Sequence, residues 1–142
     1  MAYLVHRRRL TAEWGHCDPA GLVFHSHFFE YFDTSSWALF EAALGVAPPQ
    51  LGVTFDIVGI PLVDARARFM APVHFGDTIE IHSTIGEFRR SSFQVQHRIW
   101  MGDTLVVEGS ETRVWAAADK DDPAKLESRP IPPDVIAHFS AP

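Results

Sequence analysis

Residues 79–99, IEIHSTIGEFRRSSFQVQHRI, hold two alternating runs joined by a polar turn. Ile79, Ile81 and Ile85 alternate with Glu80, His82 and Thr84, and Phe93, Val95 and Ile99 alternate with Gln94, Gln96 and Arg98. Successive side chains of a strand point to opposite faces, so this period of two describes antiparallel strands with one covered face and one wet face. The residues from Arg89 to Ser92 supply the turn between them.

The same pattern continues on both sides of this hairpin. Val63, Ala65, Ala67 and Phe69 are set against Asp64, Arg66 and Arg68, and a last strand is expected from about Thr104 to Trp115. Turn signals fall at Gly76-Asp77 and Gly102-Asp103, and residues 3–10 read as a short first strand. From Ser26 the spacing becomes helical, with Phe28, Phe32, Leu39 and Ala43 on one side and Phe29, Phe40 and Leu44 beside them. Ser26 is the expected N-cap, Gly45 the expected stop, and Pro48 and Pro49 prevent continuation. Ser35, Ser36, Ala38 and Ala42 are small, which lets a sheet approach the helix closely. One long helix packed on a five-stranded antiparallel sheet is an α+β fold. Residues 133–139 are expected to add a short terminal helix.

The chain of 142 residues fits one domain, 1–142, with a loop-rich segment at 119–142 in which residues 119–134 carry acids, lysines and four prolines. Twelve Lys and Arg against 18 Asp and Glu give a net charge of −6, which argues against general nucleic-acid binding. No apolar run approaches the length of about 18 residues that a membrane span needs. The opening MAYLVHRRRL places its basic residues after a short apolar patch, unlike a secretory leader. A single cysteine, Cys17, excludes an internal disulfide and fits a reducing, cytoplasmic setting.

The chemistry concentrates in residues 15–24, GHCDPAGLVF. Asp18 stands between two glycines, before Pro19, at the entrance to the long helix. A residue preceding proline is held extended, and an unperturbed aspartate is ionised at neutral pH. An acid aimed at the positive end of a helix suits chemistry on a polarised acyl group. The residues alone equally allow Asp18 to be a turn or capping residue. His16, His25 and His27 with Cys17 invite a metal reading, but two histidines two apart on a helix diverge, and neither a C-x-x-C nor an H-E-x-x-H pattern is present. No metal is expected, and Cys17 reads as a small packed residue. The aromatic residues Phe28, Phe29, Phe32, Phe40 and Trp37 are assigned mostly to the core. Arg66, Arg68 and His82 read as exposed-face residues without a role.

With these elements in this order, the chain looks like the hotdog fold and resembles the 4-hydroxybenzoyl-CoA thioesterase family of the Pseudomonas type. Four blocks carry the resemblance: Gly15-x-Cys17-Asp18-Pro19-Ala20-Gly21-Leu22-Val23, Asp33, Ile57-Val58-Gly59-x-Pro61-Leu62-Val63, and Glu87-Phe88-Arg89-Arg90-Ser91-Ser92-Phe93. They span roughly residues 5–117. The resemblance implies an acyl-CoA thioesterase with an aromatic acyl group, and no cofactor. It implies that Asp18 attacks the thioester carbonyl or activates water, that the backbone amide of His25 holds the oxyanion, and that Gly21 allows close approach. Relatives often carry Tyr at the position of His25, a change that a backbone role survives. Asp33 is implied as the partner of a ring hydroxyl, against the plainer reading of a solvated helix acid. Arg89 and Arg90 are implied to grip the CoA phosphates, with Ser91 standing where the family pattern can continue with lysine. Paired sheet edges and a dimer of dimers are implied as well, so that Arg89 and Arg90 serve a neighbour's Asp18. Two alternatives stay open: a hotdog hydratase or dehydratase using His25 or His27 with the acid, and an acyl-CoA binding module without catalysis.

Overall fold

The computed structural model describes residues 2–141. Five strands, β1 (Val5–Thr11), β2 (Leu62–Phe69), β3 (Thr78–Phe88), β4 (Ser92–Met101) and β5 (Thr104–Val114), form one sheet in the order β1-β3-β4-β5-β2. Every neighbouring pair in it is antiparallel. The long helix α1 (His25–Leu44) packs across one face, and the other face is polar, as the alternation requires. Strands β1 and β2 are its edges.

The start of α1 differs from the sequence expectation. Its N-cap is Phe24, not Ser26. The N–H of Val23 donates to Val73 O (2.8 Å) and that of Phe24 to His16 O (2.9 Å), so the chain stays extended up to Phe24 and turns immediately after it. Ser26 therefore lies inside the first turn. The end is as expected: Gly45 adopts φ 70° and its N–H donates to Glu41 O at 2.9 Å, a left-handed cap that glycine takes without a Cβ clash.

Besides a single 3-10 turn at Trp14–His16, three described elements go beyond the sequence expectation. Pro48 and Pro49 stop α1 but also begin a second helix, α2 (Pro48–Phe55), because the first helical positions need no N–H donor. Within the segment read as loop, β7 (Leu126–Ser128) pairs with β6 (Ala116–Ala118). The expected terminal helix is α3 (Pro133–His138), which carries Phe139 into the core. Ala42 is exposed rather than against the sheet, and Val63 and Phe69, on the edge strand β2, are more than two-fifths exposed.

The covered face holds two apolar clusters. One surrounds the C-terminal half of α1, with Leu39, Phe40, Phe93, Trp115 and Phe139. The other surrounds its N-terminal half, with Phe28, Phe32, Val73, Ile81 and Val107. Between them runs a buried polar layer of Ser36, Ser83, His97, Glu111 and Arg113. Close helix-to-sheet contact next to this layer depends on Gly109 of β5, where a Cβ would come within 2.7 Å of Phe32 Cζ and 2.8 Å of Arg66 O.

Candidate active site

The loop ahead of α1 is built to hold a carboxylate at the helix end. Asp18 Oδ1 accepts the N–H groups of Ala20 (2.9 Å) and Leu22 (3.1 Å). Its backbone N–H donates to Leu22 O at 2.8 Å, and its carbonyl accepts the N–H of Gly21 at 2.9 Å. Closing so tight a turn puts Gly21 at φ 81°, which favours glycine. Phe75 N–H then donates to Gly21 O (2.8 Å), stitching the loop to the segment before β3. Only Oδ2 of the carboxylate is left without a partner among the described residues.

Asp18 opens into a groove of about 450 Å³ that it shares with His25, Leu22, Phe28, Phe69 and Met70. The lining is apolar apart from Asp18 and His25. Phe28 and Phe69 stand with ring centres 5.5 Å apart, and Trp14 and Phe75 form an exposed aromatic pair, also 5.5 Å apart, beside Gly21. As the first residue of α1, His25 has no intrahelical acceptor for its N–H, and the Phe24 side chain cannot cap it. The structure thus places Asp18 and His25 on one groove, with Gly21 bonded to Asp18 in the turn beside it. Phe69 and Met70 were not singled out in the sequence, because their role depends on where β2 ends relative to α1.

The other sequence candidates lie elsewhere. The rings of His16 and His27 stack, 4.4 Å apart and 17° from parallel, instead of converging on a point. Cys17 Sγ donates to Glu13 O at 3.3 Å. Among the described residues, no group of three or more His, Cys, Asp or Glu side chains is placed to share an ion. Arg89, Arg90 and Ser91 form the β3–β4 turn. Arg89 pairs with Glu87 at 3.2 Å, and the turn is fixed by Ile131 N–H to Arg90 O and Trp115 N–H to Ser91 O, both 2.8 Å. Phe88 and Phe93, which flank the turn, pack with Phe40 and Phe139 at the far end of α1. Phe40 is about 22 Å along the axis from His25, so the arginines do not reach the Asp18 of their own chain.

Asp33 does not line the Asp18 groove. Its Oδ1 accepts Arg113 Nη2 at 2.6 Å, and its side chain remains 53% exposed. Arg113 also bonds Glu111 through Nε (3.3 Å) and Nη2 (2.9 Å), and Ile60 O through Nη1 (3.0 Å). Glu111 Oε1 accepts the Ser36 hydroxyl and His97 Nε2, the latter at 3.0 Å. Burial drives the Glu111 carboxyl upward, but the bonds from His97, Arg113 and Ser36 and the Arg113 charge outweigh it and hold the group at about 2. Burial pushes the His97 imidazole below its ordinary range, so it is neutral near pH 7. The carboxylate requires a donor, which assigns the proton to Nε2 and leaves Nδ1 to accept from Ser83 Oγ at 2.7 Å.

Residues 12–139 match the Thioesterase-like superfamily. The chain is 34% identical over 130 residues to the 4-hydroxybenzoyl-CoA thioesterase of Pseudomonas sp. (strain CBS-3), covering 87% of this chain and 89% of that protein. The structure of 4-hydroxybenzoyl CoA thioesterase from Pseudomonas sp. strain CBS-3 superposes with a TM-score of 0.83 at 31% identity, over 96% of this chain and 99% of that one. A gentisyl-coenzyme A thioesterase structure gives a TM-score of 0.77 at 28% identity, over 94% and 98%. The chain therefore belongs to the Thioesterase-like superfamily, with the hotdog fold, and is a thioesterase.

Proposed function

We propose that the protein hydrolyses an aromatic acyl-CoA of the 4-hydroxybenzoyl kind to the free acid and CoA. The observation that carries this reading is the free Oδ2 of Asp18, beside the open N-terminus of α1 in an aromatic-lined groove. Two of the most similar relatives bear names with a hydroxylated benzoyl thioester. With the thioester oxygen on the His25 N–H, the carbonyl carbon faces the carboxylate. Donors at a developing oxyanion typically contribute about 2.7–4 kcal/mol each to lowering the barrier. Asp18 then acts in one of two ways. As nucleophile it forms a mixed anhydride and expels the CoA thiolate, and water hydrolyses the anhydride. As general base it takes a proton from water, whose oxygen bonds to the carbonyl carbon as the C–S bond breaks.

Asp33, outside the Asp18 groove of its own chain, offers its Oδ2 as acceptor to the ring hydroxyl of a neighbouring subunit's substrate, and Arg89 and Arg90 hold the CoA phosphates of such a substrate. That arrangement calls for pairing of subunits through an exposed sheet edge. The edge strand β2 supports it, with unpaired backbone groups and exposed Leu62, Val63 and Phe69. A dimer of dimers in the cytoplasm is the proposed form.

The deciding experiment measures hydrolysis of 4-hydroxybenzoyl-CoA, benzoyl-CoA and short and long fatty acyl-CoAs, with wild type and Asp18→Asn. Turnover of the aromatic thioesters, lost by at least about a thousandfold in Asp18→Asn with substrate binding kept, is the expected result. Near-wild-type turnover in Asp18→Asn would sink the mechanism. Enoyl-CoA hydration, or binding of every thioester without hydrolysis, would favour the hydratase or the binding module instead. Labelled oxygen from water entering Asp18 in a single turnover distinguishes direct attack from water activation.

A further inference from the structure

Arg113 is a buried cation that a stable core does not require. Taking two charges out of water costs about as much as their attraction returns, so a buried pair adds little over apolar residues of the same volume. Four of its five N–H donors are nonetheless engaged: two bonds to Glu111, one to Ile60 O and one to Asp33. Behind it, Glu111 is held by His97 and Ser36, and His97 by Ser83. These bonds cross the core from the middle of the sheet to the surface of α1. They end on one exposed group, the Asp33 carboxylate, whose Oδ2 has no partner among the described residues.

We propose that Arg113 is a positioning residue that sets the preference for a hydroxylated aromatic acyl group, by fixing the Asp33 carboxylate so that Oδ2 meets the ring hydroxyl. The inference rests on the role proposed for Asp33 above. An ionised carboxylate only accepts hydrogen bonds, so a ring hydroxyl satisfies it, whereas an unsubstituted ring closing over it strips its water and gives nothing back. Such discrimination requires the carboxylate to be held in one rotamer by a support that does not itself move. The planar fork of Arg113 on Glu111 supplies that support, and lysine cannot reproduce its geometry. With Glu111 and Asp33 both ionised, the three charges sum to minus one, which also disfavours an acyl group bearing its own carboxylate at that end.

The test is the ratio of kcat/KM for 4-hydroxybenzoyl-CoA to that for benzoyl-CoA, measured in wild type, Asp33→Ala, Arg113→Met and Arg113→Lys. The ratio is expected to fall at least fivefold in Asp33→Ala and in Arg113→Met, with Arg113→Lys retaining part of it. A merely structural role lowers both substrates together and leaves the ratio alone. A ratio lost in Asp33→Ala but changed less than fivefold in Arg113→Met overturns the role of Arg113 and spares that of Asp33. A wild-type ratio near one, or an unchanged ratio in Asp33→Ala, overturns the Asp33 reading and this inference with it. Because Arg113→Met strands the Glu111 charge, the paired variant Glu111→Gln/Arg113→Met, which removes both charges, reads the same ratio if the single variant does not fold.

Discussion

The imidazole Nδ1 of His16 lies 3.0 Å from the hydroxyl of Tyr31, which ties the loop carrying Asp18 to α1. The same histidine accepts the Phe24 N–H on its carbonyl and stacks on His27, so one residue braces both the carboxylate loop and the helix start. Tyr31→Phe removes the hydroxyl and keeps the ring in place. We expect kcat to fall about tenfold with KM changed less than threefold, since small misplacements of reacting groups are costly. Steady-state kinetics on the aromatic thioester, with a thermal melt to show an intact fold, check this.

The β3–β4 turn carries two exposed arginines far from the Asp18 of the same chain. If they hold CoA phosphates, Arg89→Ala and Arg90→Ala should each raise KM about tenfold with little change in kcat, the loss of one charge-assisted hydrogen bond. The effect should shrink at high salt. A 4-hydroxybenzoyl thioester of N-acetylcysteamine, which has no phosphates, should show no difference between these variants and wild type.

Gly109 faces Phe32 and the carbonyl of Arg66, both within 2.8 Å of where a Cβ would stand. Gly109→Ala must therefore push α1 off the sheet or spread β2 from β5. Overpacking of this kind costs about 1–3 kcal/mol. Urea unfolding monitored by tryptophan fluorescence should show a lower midpoint with an unchanged slope.

Acid should destabilise the protein in two stages. The His97 imidazole is lowered in the folded state from 6.5, so below about that pH the unfolded chain binds a proton that the folded chain does not, and stability falls. Glu111 is depressed from 4.5 to about 2, so its contribution is fully present above 4.5 and is lost as pH drops toward 2. Glu111→Gln should remove the second stage. Urea midpoints measured from pH 7 down to pH 3 decide it: an equally steep loss below pH 4.5 in the variant would count against this account.

Much of the fold was legible because its signals are local. Strict alternation marked β3 and β4, the 3.6-residue spacing marked α1, and Gly45 marked its end. The misses were also local in cause. Pro48 and Pro49 signal the end of α1, although proline suits the first turn of a helix equally well, and the short pair β6 and β7 has too few residues to show a period. The polar layer had a readable signal. Ser83 shares the parity of Ile81 and Ile85, and His97 that of Val95 and Ile99, which places both side chains inward. What each one bonds to was not readable, because Ser36, His97 and Glu111 are far apart in the chain.

The sequence by itself determined the α+β class, the single covered face of the sheet and the position of a carboxylate immediately before the long helix. These follow from side-chain periodicity and from the backbone limits of Asp-Pro and glycine, which act over a few residues. Only the tertiary structure decided that Asp18 and His25 share a groove with Phe69 and Met70, that the arginine turn lies at the opposite end of α1, and that Asp33 rests on Arg113. Those relations depend on the length of α1, the strand order and the register of β2 on β5, which bring together side chains remote in sequence.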